Sequence, residues 1–205
     1  MVDYSRHVFR SPQYRSVVSD AVSFYENTPV LEFPITGSFS GTGVYGLYYK
    51  GDCEIYRGFL ALNALQYKVP IYIGKAVPPG WRTARTNPSM NETASLSGRL
   101  REHQRSILCC SGLNIKDFRY RFVVLADEET DLISTLESTL IRKYKPLWNN
   151  VIDGFGNHDP GMGRTNQAKS EWDVLHRGRA WAEKLTGESP NLEKTREKVT
   201  KHFLS

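Results

Sequence analysis

Cysteine is scarce in this 205-residue chain: there are three, Cys53, Cys109 and Cys110, an odd number with two adjacent. That spacing supplies no zinc ligand set and suggests no disulfide framework, so a reducing cytoplasm is expected. Long apolar runs are missing too. No stretch approaches the roughly 20 residues of a membrane span, so no membrane partner is expected. The first sixteen residues, MVDYSRHVFRSPQYRS, are polar and lack the apolar centre of a signal peptide. No internal repeat or low-complexity tract is present. The triplet Glu-x-Lys, half of a widespread metal-binding carboxylate signature, occurs nowhere.

What is present is mild positive charge and many tyrosines. The formal charge is +5 and the pI about 9.1, a modest tilt towards polyanions. Arginine carries much of it, in WRTAR (81–85), GRLREHQR (98–105) and FRYRF (118–122). Its planar fork donates two hydrogen bonds at once, which suits phosphate and guanine. Two short segments, GVYGLYY (43–49) and IYIGKA (71–76), read as strands that each set a tyrosine beside a glycine. Tyrosine is a good strand former, so sheet packing alone accounts for either segment taken singly.

The length suits one core with arms. Residues 1–36 read as an N-terminal arm containing a short amphipathic helix at 16–27. Residues 51–68 form a partly helical insertion between the two tyrosine strands. Residues 76–95 are a loop rich in Pro, Gly, Asn and Thr, long enough to imply function. A helix is predicted at about 97–108, and 117–126 alternates as a third strand. Asp127 is placed to cap a helix that stops before Pro146. A glycine-rich stretch and a short helix fill 151–187, and 188–205 reads as a charged, exposed tail. The order strand, insertion, strand, helix, strand, helix predicts an α/β fold, a small three-stranded and mostly antiparallel sheet sandwiched by helices.

Three positions could carry chemistry. Glu137 interrupts the apolar face formed by Ile133, Leu140, Ile141 and Tyr144, and a buried carboxylate is costly without a cation. The plainer alternative is a helix-edge glutamate that reaches water or a lysine. Arg99 and His103 lie four apart and share a helix face, which could address one substrate or simply face solvent. Asn149 follows KPLW (145–148), where a helix-exit turn also favours asparagine.

In order, Tyr45 in GVY, Tyr72 in YIG, Arg99, His103, Glu137 and Asn149 resemble the GIY-YIG nuclease superfamily over residues 42–150. The region 154–181 further resembles small bacterial type II restriction endonucleases within it. The departure is the long interval between the two tyrosines, which the insertion at 51–68 explains.

The resemblance implies a site-specific endonuclease that hydrolyses a phosphodiester of palindromic double-stranded DNA, leaving 5′-phosphate and 3′-hydroxyl ends. It implies Mg²⁺ on Glu137, with Mn²⁺ as a substitute. Arg99 would donate to the scissile phosphate, and Tyr45 would orient or deprotonate the attacking water. A free phenol is a poor base, so a nearby cation, His103 or Lys75, would have to favour its phenolate. Tyr72 would help place water or phosphate, and Asn149 would fix geometry. Lys75, Arg82, Arg85, Arg164 and Arg179 are expected to contact DNA. A homodimer is expected, built from the arm and the insertion with Phe24, Tyr25, Phe33, Tyr56, Phe59 and Leu60. A cognate DNA methyltransferase is expected in the host, but not as a physical partner.

The rivals are a repair or homing nuclease on the same core, or a non-catalytic DNA-binding protein. The first usually carries a separate binding domain, and the second needs no carboxylate in an apolar stripe. GNHDP (156–160) resembles an HNH element only superficially, since no second histidine follows at a suitable spacing.

Overall fold

A computed structural model describes residues 1–83 and 94–204, without the Arg82 side chain. The centre is β2 (Gly43–Tyr49), every residue of which is buried. It pairs antiparallel with β3 (Tyr72–Ala76) on one side and β4 (Phe118–Val124) on the other. A two-residue strand, β1 (Leu31–Glu32), adds antiparallel to β4, so the four-stranded order is β1-β4-β2-β3. The sequence predicted three of these strands; β1 lies within the expected arm and is too short to show alternation.

Side-chain alternation sorts β2 onto two cores. Tyr45, Leu47 and Tyr49 face one containing Leu96, Leu100 and Ile107 of α3 (Ser95–Leu108). Val44 faces the other, with Ile133, Leu136 and Leu140 of α4 (Ile133–Tyr144). The sheet is therefore sandwiched by helices. Helix α1 (Pro12–Asn27) covers the α4 face, where Tyr25 is fully buried and its hydroxyl lies 3.2 Å from that of Tyr48. A Cβ on Gly46 would stand 2.1 Å from the Tyr25 oxygen, so this central strand position has no room for a side chain.

Three expectations change. Asp127 is not a cap: it has φ +52° and opens a 3-10 turn, Asp127–Leu132, that leads into α4. The insertion contains a 3-10 turn and α2 (Arg57–Asn63), and it buries Tyr56 and Phe59 in its own chain. With Tyr25 and Phe33 buried as well, only Phe24 and Leu60 of the six residues assigned to an interface remain exposed. The charged tail is a helix, α7 (Leu192–Leu204), that buries Thr195 and Val199. Its Phe203 ring meets Phe59 edge to face at 5.1 Å. Charge dominates the tail's composition, and one narrow apolar stripe was enough to seat it.

Two short helices complete the layer over the α3 face: α5 (Leu147–Asn150), with Leu147 and Trp148 buried, and α6 (Glu171–Leu175), with Trp172 buried.

Candidate active site

β3 is an edge strand, and the candidate residues gather around its free side. Asn149 supplies what a neighbouring strand would. Its Oδ1 accepts from the Ile73 amide and its Nδ2 donates to the Ile73 carbonyl, both at 2.8 Å. The backbone amide of Trp148 donates to Ile71 O at 2.9 Å. The start of α5 thus holds the YIG segment by its main chain, which is otherwise unpaired on this side.

The glycine of YIG has a steric reason. Tyr45 pairs opposite Gly74, and its ring lies across that residue. A Cβ there would sit 2.6 Å from the Tyr45 oxygen and 2.9 Å from Tyr72 Cε1. Without it, the Tyr45 and Tyr72 rings approach to 6.4 Å between centroids.

α3 brings His103 beneath both rings. The Tyr45 hydroxyl and His103 Nε2 are 2.7 Å apart, in full burial. Burial pushes the Tyr45 phenol well above its usual pKa, with the Arg99 charge opposing. Burial, then the Arg99 charge, holds His103 well below the ordinary imidazole value. His103 is therefore neutral at neutral pH and is not the cation the sequence reading required. Tyr72 is pushed up to about 12, again by burial.

Glu137 and Lys75 arrive from the other face. Lys75 alternates away from Tyr72 towards α4, and its Nζ meets Glu137 Oε2 at 2.8 Å and Ser134 Oγ at 3.2 Å. The plainer reading of Glu137, a glutamate that reaches a lysine, describes this contact. Lys75 is thus engaged with Glu137, the second cation considered for Tyr45.

Arg99 completes the group. Its Nη1 meets Glu102 Oε2 at 2.6 Å and also contacts His158 Nε2. Since a guanidinium only donates, His158 accepts there with an unprotonated Nε2. Tyr72, Lys75, Arg99, Glu102, Glu137 and His158 line one open cleft of about 550 Å³. Arg99 and Tyr72 enter it from the α3 side of β3, Lys75 and Glu137 from the α4 side.

The sequence reading missed three of these neighbours. Glu102 stands one helical turn after Arg99, a detectable ion-pair spacing. His158 lies in GNHDP, which was weighed only as an HNH element. Phe155 stacks on His103 with centroids 4.5 Å apart and an 18° interplanar angle, and it meets Tyr72 edge-on. Gly156 follows because a Cβ there would stand 2.6 Å from the Tyr72 hydroxyl.

The arginines expected on DNA divide. Arg164 is exposed at the end of a 3-10 turn, Met162–Arg164. Arg82 lies in the turn Trp81–Thr83, and its side chain and all of Arg85 lie outside the described residues. Arg179 is corrected: it is 4 % exposed, and its guanidinium is used inside the protein. It donates to Gly154 O at 2.9 Å and Phe155 O at 2.5 Å, covers the Trp172 ring at 4.1 Å and pairs with Asp173 at 3.6 Å. It fastens the Phe155 segment and does not face solvent.

Among the described residues no group of three His, Cys, Asp or Glu could hold a metal by itself. The donor set still fits one hard cation, because Mg²⁺ keeps several waters and accepts a single carboxylate plus substrate phosphate. Glu137, with 19 % of its side chain exposed in the cleft, offers that carboxylate. No described helix is long and apolar enough to cross a membrane.

Comparison with known proteins agrees with this geometry. No curated protein matches the chain. A family model described as the Eco29kI GIY-YIG domain matches residues 37–203, which takes in β2, β3 and β4, the cleft and the segment that carries Phe155, His158 and Arg179. The chain therefore belongs to the Eco29kI GIY-YIG family of type II restriction endonucleases, whose substrate is DNA.

Proposed function

We propose that the protein cuts both strands of a palindromic DNA site by Mg²⁺-assisted hydrolysis, leaving 5′-phosphate and 3′-hydroxyl ends. The observation that carries this is the Tyr45–His103 contact, set beside a cleft in which Arg99, Tyr72 and Glu137 converge.

Neither Tyr45 nor His103 is charged at rest, so the base is a pair. The tautomer that works has the phenol donating to Nε2. As water attacks phosphorus, its proton passes to the Tyr45 oxygen while the phenol proton passes to His103. The bond from phosphorus to the 3′ oxygen breaks, and that oxygen takes a proton from solvent. Arg99 turns from Glu102 and His158 to a non-bridging oxygen and stabilises the added charge. Tyr72, protonated, donates to the phosphate or to the water. Bound to Glu137, Mg²⁺ would neutralise charge on the phosphate and the leaving oxygen. Asn149 keeps Tyr72 and Gly74 in place by holding Ile73.

The test is incubation of purified full-length chain with plasmid and Mg²⁺, followed by sequencing of the ends. Uncut plasmid with folded protein, or ends bearing a 3′-phosphate, would overturn the reading.

A further inference from the structure

A second cavity, of about 430 Å³, adjoins the cleft and shares Arg99, Glu102 and His158 with it as a common wall. Its far side is made by Arg105, Ser106, Asn157 and Trp181. Arg105 is exposed, and among the described residues its guanidinium makes no ion pair and no hydrogen bond. The Ser106 hydroxyl and the Asn157 carboxamide are likewise without partners there. Of the cavity's acidic residues, Glu102 pairs with Arg99 in the free protein, and Asp159 Oδ1 accepts from the Gly161 amide at 2.8 Å. The cavity therefore presents an unpaired guanidinium, a hydroxyl and a carboxamide, together with the Phe155 and Trp181 rings.

We propose that this cavity seats the phosphate and sugar of the nucleotide next to the scissile phosphate, with Arg105 as its charged donor. This rests on the nuclease reading of the adjoining cleft. A strand whose phosphate meets Arg99 must continue past the shared wall, and its next phosphate brings acceptor oxygens to a group of donors that lack them. The phosphate is read as charge, so this subsite adds affinity and register and no sequence preference. Arg105 also lies in the last turn of α3, where a cation complements the helix dipole. That role alone would move stability and leave DNA binding unchanged.

The test measures DNA binding in EDTA by the full chain and by Arg105→Ala, with urea midpoints confirming that both fold. The duplex carries the mapped cut site, and a second set places one neutral methylphosphonate at each phosphate around it. Arg105→Ala is expected to weaken binding about tenfold and to lower the salt slope by about 0.9. That loss is expected to vanish on the duplex neutralised next to the scissile phosphate. Cys109, an exposed thiol in the same cavity wall, should be alkylated by iodoacetamide more slowly with plasmid bound. Unchanged affinity and slope, an equal loss on every methylphosphonate duplex, or alkylation indifferent to saturating DNA overturns the proposal. Neither the salt slope nor Cys109 protection needs cleavage. A chain that binds plasmid but never cuts it loses the nuclease reading, while the salt slope and Cys109 protection still decide this one.

Discussion

The Tyr45 hydroxyl and the His103 imidazole share one short contact, 2.7 Å long, in a place where burial forbids charge on either. A phenolate there needs a compensating positive charge, and an imidazolium a compensating negative one. The pair is thus poised as a proton path and stores no charge of its own.

Removing the phenol oxygen as Tyr45→Phe, or the imidazole as His103→Asn, should each lower kcat roughly 10²–10⁴-fold with DNA binding preserved. Because the pair acts as one unit, the double variant should be little slower than either single one. The His103 pKa lies well below 6.5, so its acid limb should be absent between pH 8 and pH 6.5. Single-turnover cleavage across that range checks both statements. Near-normal rates in folded variants would remove Tyr45 and His103 from the chemistry.

Lys75 holds Glu137, so at the proposed metal site it would compete with a divalent cation. Lys75→Met should therefore tighten Mn²⁺ binding about fivefold, the equivalent of the ~1 kcal/mol contributed by a part-exposed ion pair. Glu137→Gln should abolish it. Titration calorimetry of the full chain measures both without DNA. A Glu137→Gln protein that still binds one Mn²⁺ in the cleft would move the metal elsewhere.

Stability should fall in mild acid. His176 is held at about 3, first by burial and then by the Arg179 charge, with its Nε2 2.5 Å from the Tyr56 hydroxyl. Its folded pKa is below its unfolded value, so the unfolded chain binds the extra proton. The stabilisation is complete above pH 6.5 and declines as pH falls towards 3. The slope is about 1.4 kcal/mol per pH unit for each such histidine. Urea midpoints from pH 7 to pH 5 should drop, and His176→Gln should flatten part of the decline. An unchanged slope in that variant would show that His176 is not responsible.

The dimer can be tested at α1. Tyr14, Val17 and Phe24 of that helix are exposed, whereas Val22 and Tyr25 are buried. One active site cuts one strand, so on the proposed palindromic site a twofold copy would supply the second cut. Phe24→Glu should convert double-strand breaks into nicks while leaving the single-strand cutting rate within about twofold, as expected for a surface change remote from the cleft. Sedimentation with a short duplex reads the stoichiometry. One chain per duplex that still makes double-strand breaks would exclude the dimer.

The half of the candidate site formed by Tyr45, Tyr72, Arg99, His103 and Glu137 was legible in position because these residues lie on regular elements. Tyr45 and Tyr72 stand on alternating strands, Arg99 and His103 at helical spacing, and Glu137 in an apolar stripe. Asn149 was legible as a position but not as a device, since nothing local says that its amide will pair with Ile73. The wall was not legible. Phe155, His158 and Arg179 sit in loops without periodicity, and their arrangement depends on contacts far apart in sequence. Arg179 misled for the same reason: an arginine in a polar loop reads as surface, and only the folded chain puts Trp172 beneath it. Similarly, α7 reads as solvated because its charge outweighs Val199 and Phe203.

The C-terminal wall also sets when the protein becomes competent during its synthesis. All six candidate residues have been translated once Asn149 is made, yet the ring that stacks on His103, the histidine against Arg99 and the arginine that fastens the Phe155 segment still lie ahead. A chain that ends between Asn149 and Phe155 therefore holds all six candidate residues without the ring and the histidine that pack against them. For a protein that cuts DNA, its own order of translation withholds the finished cleft from truncated products.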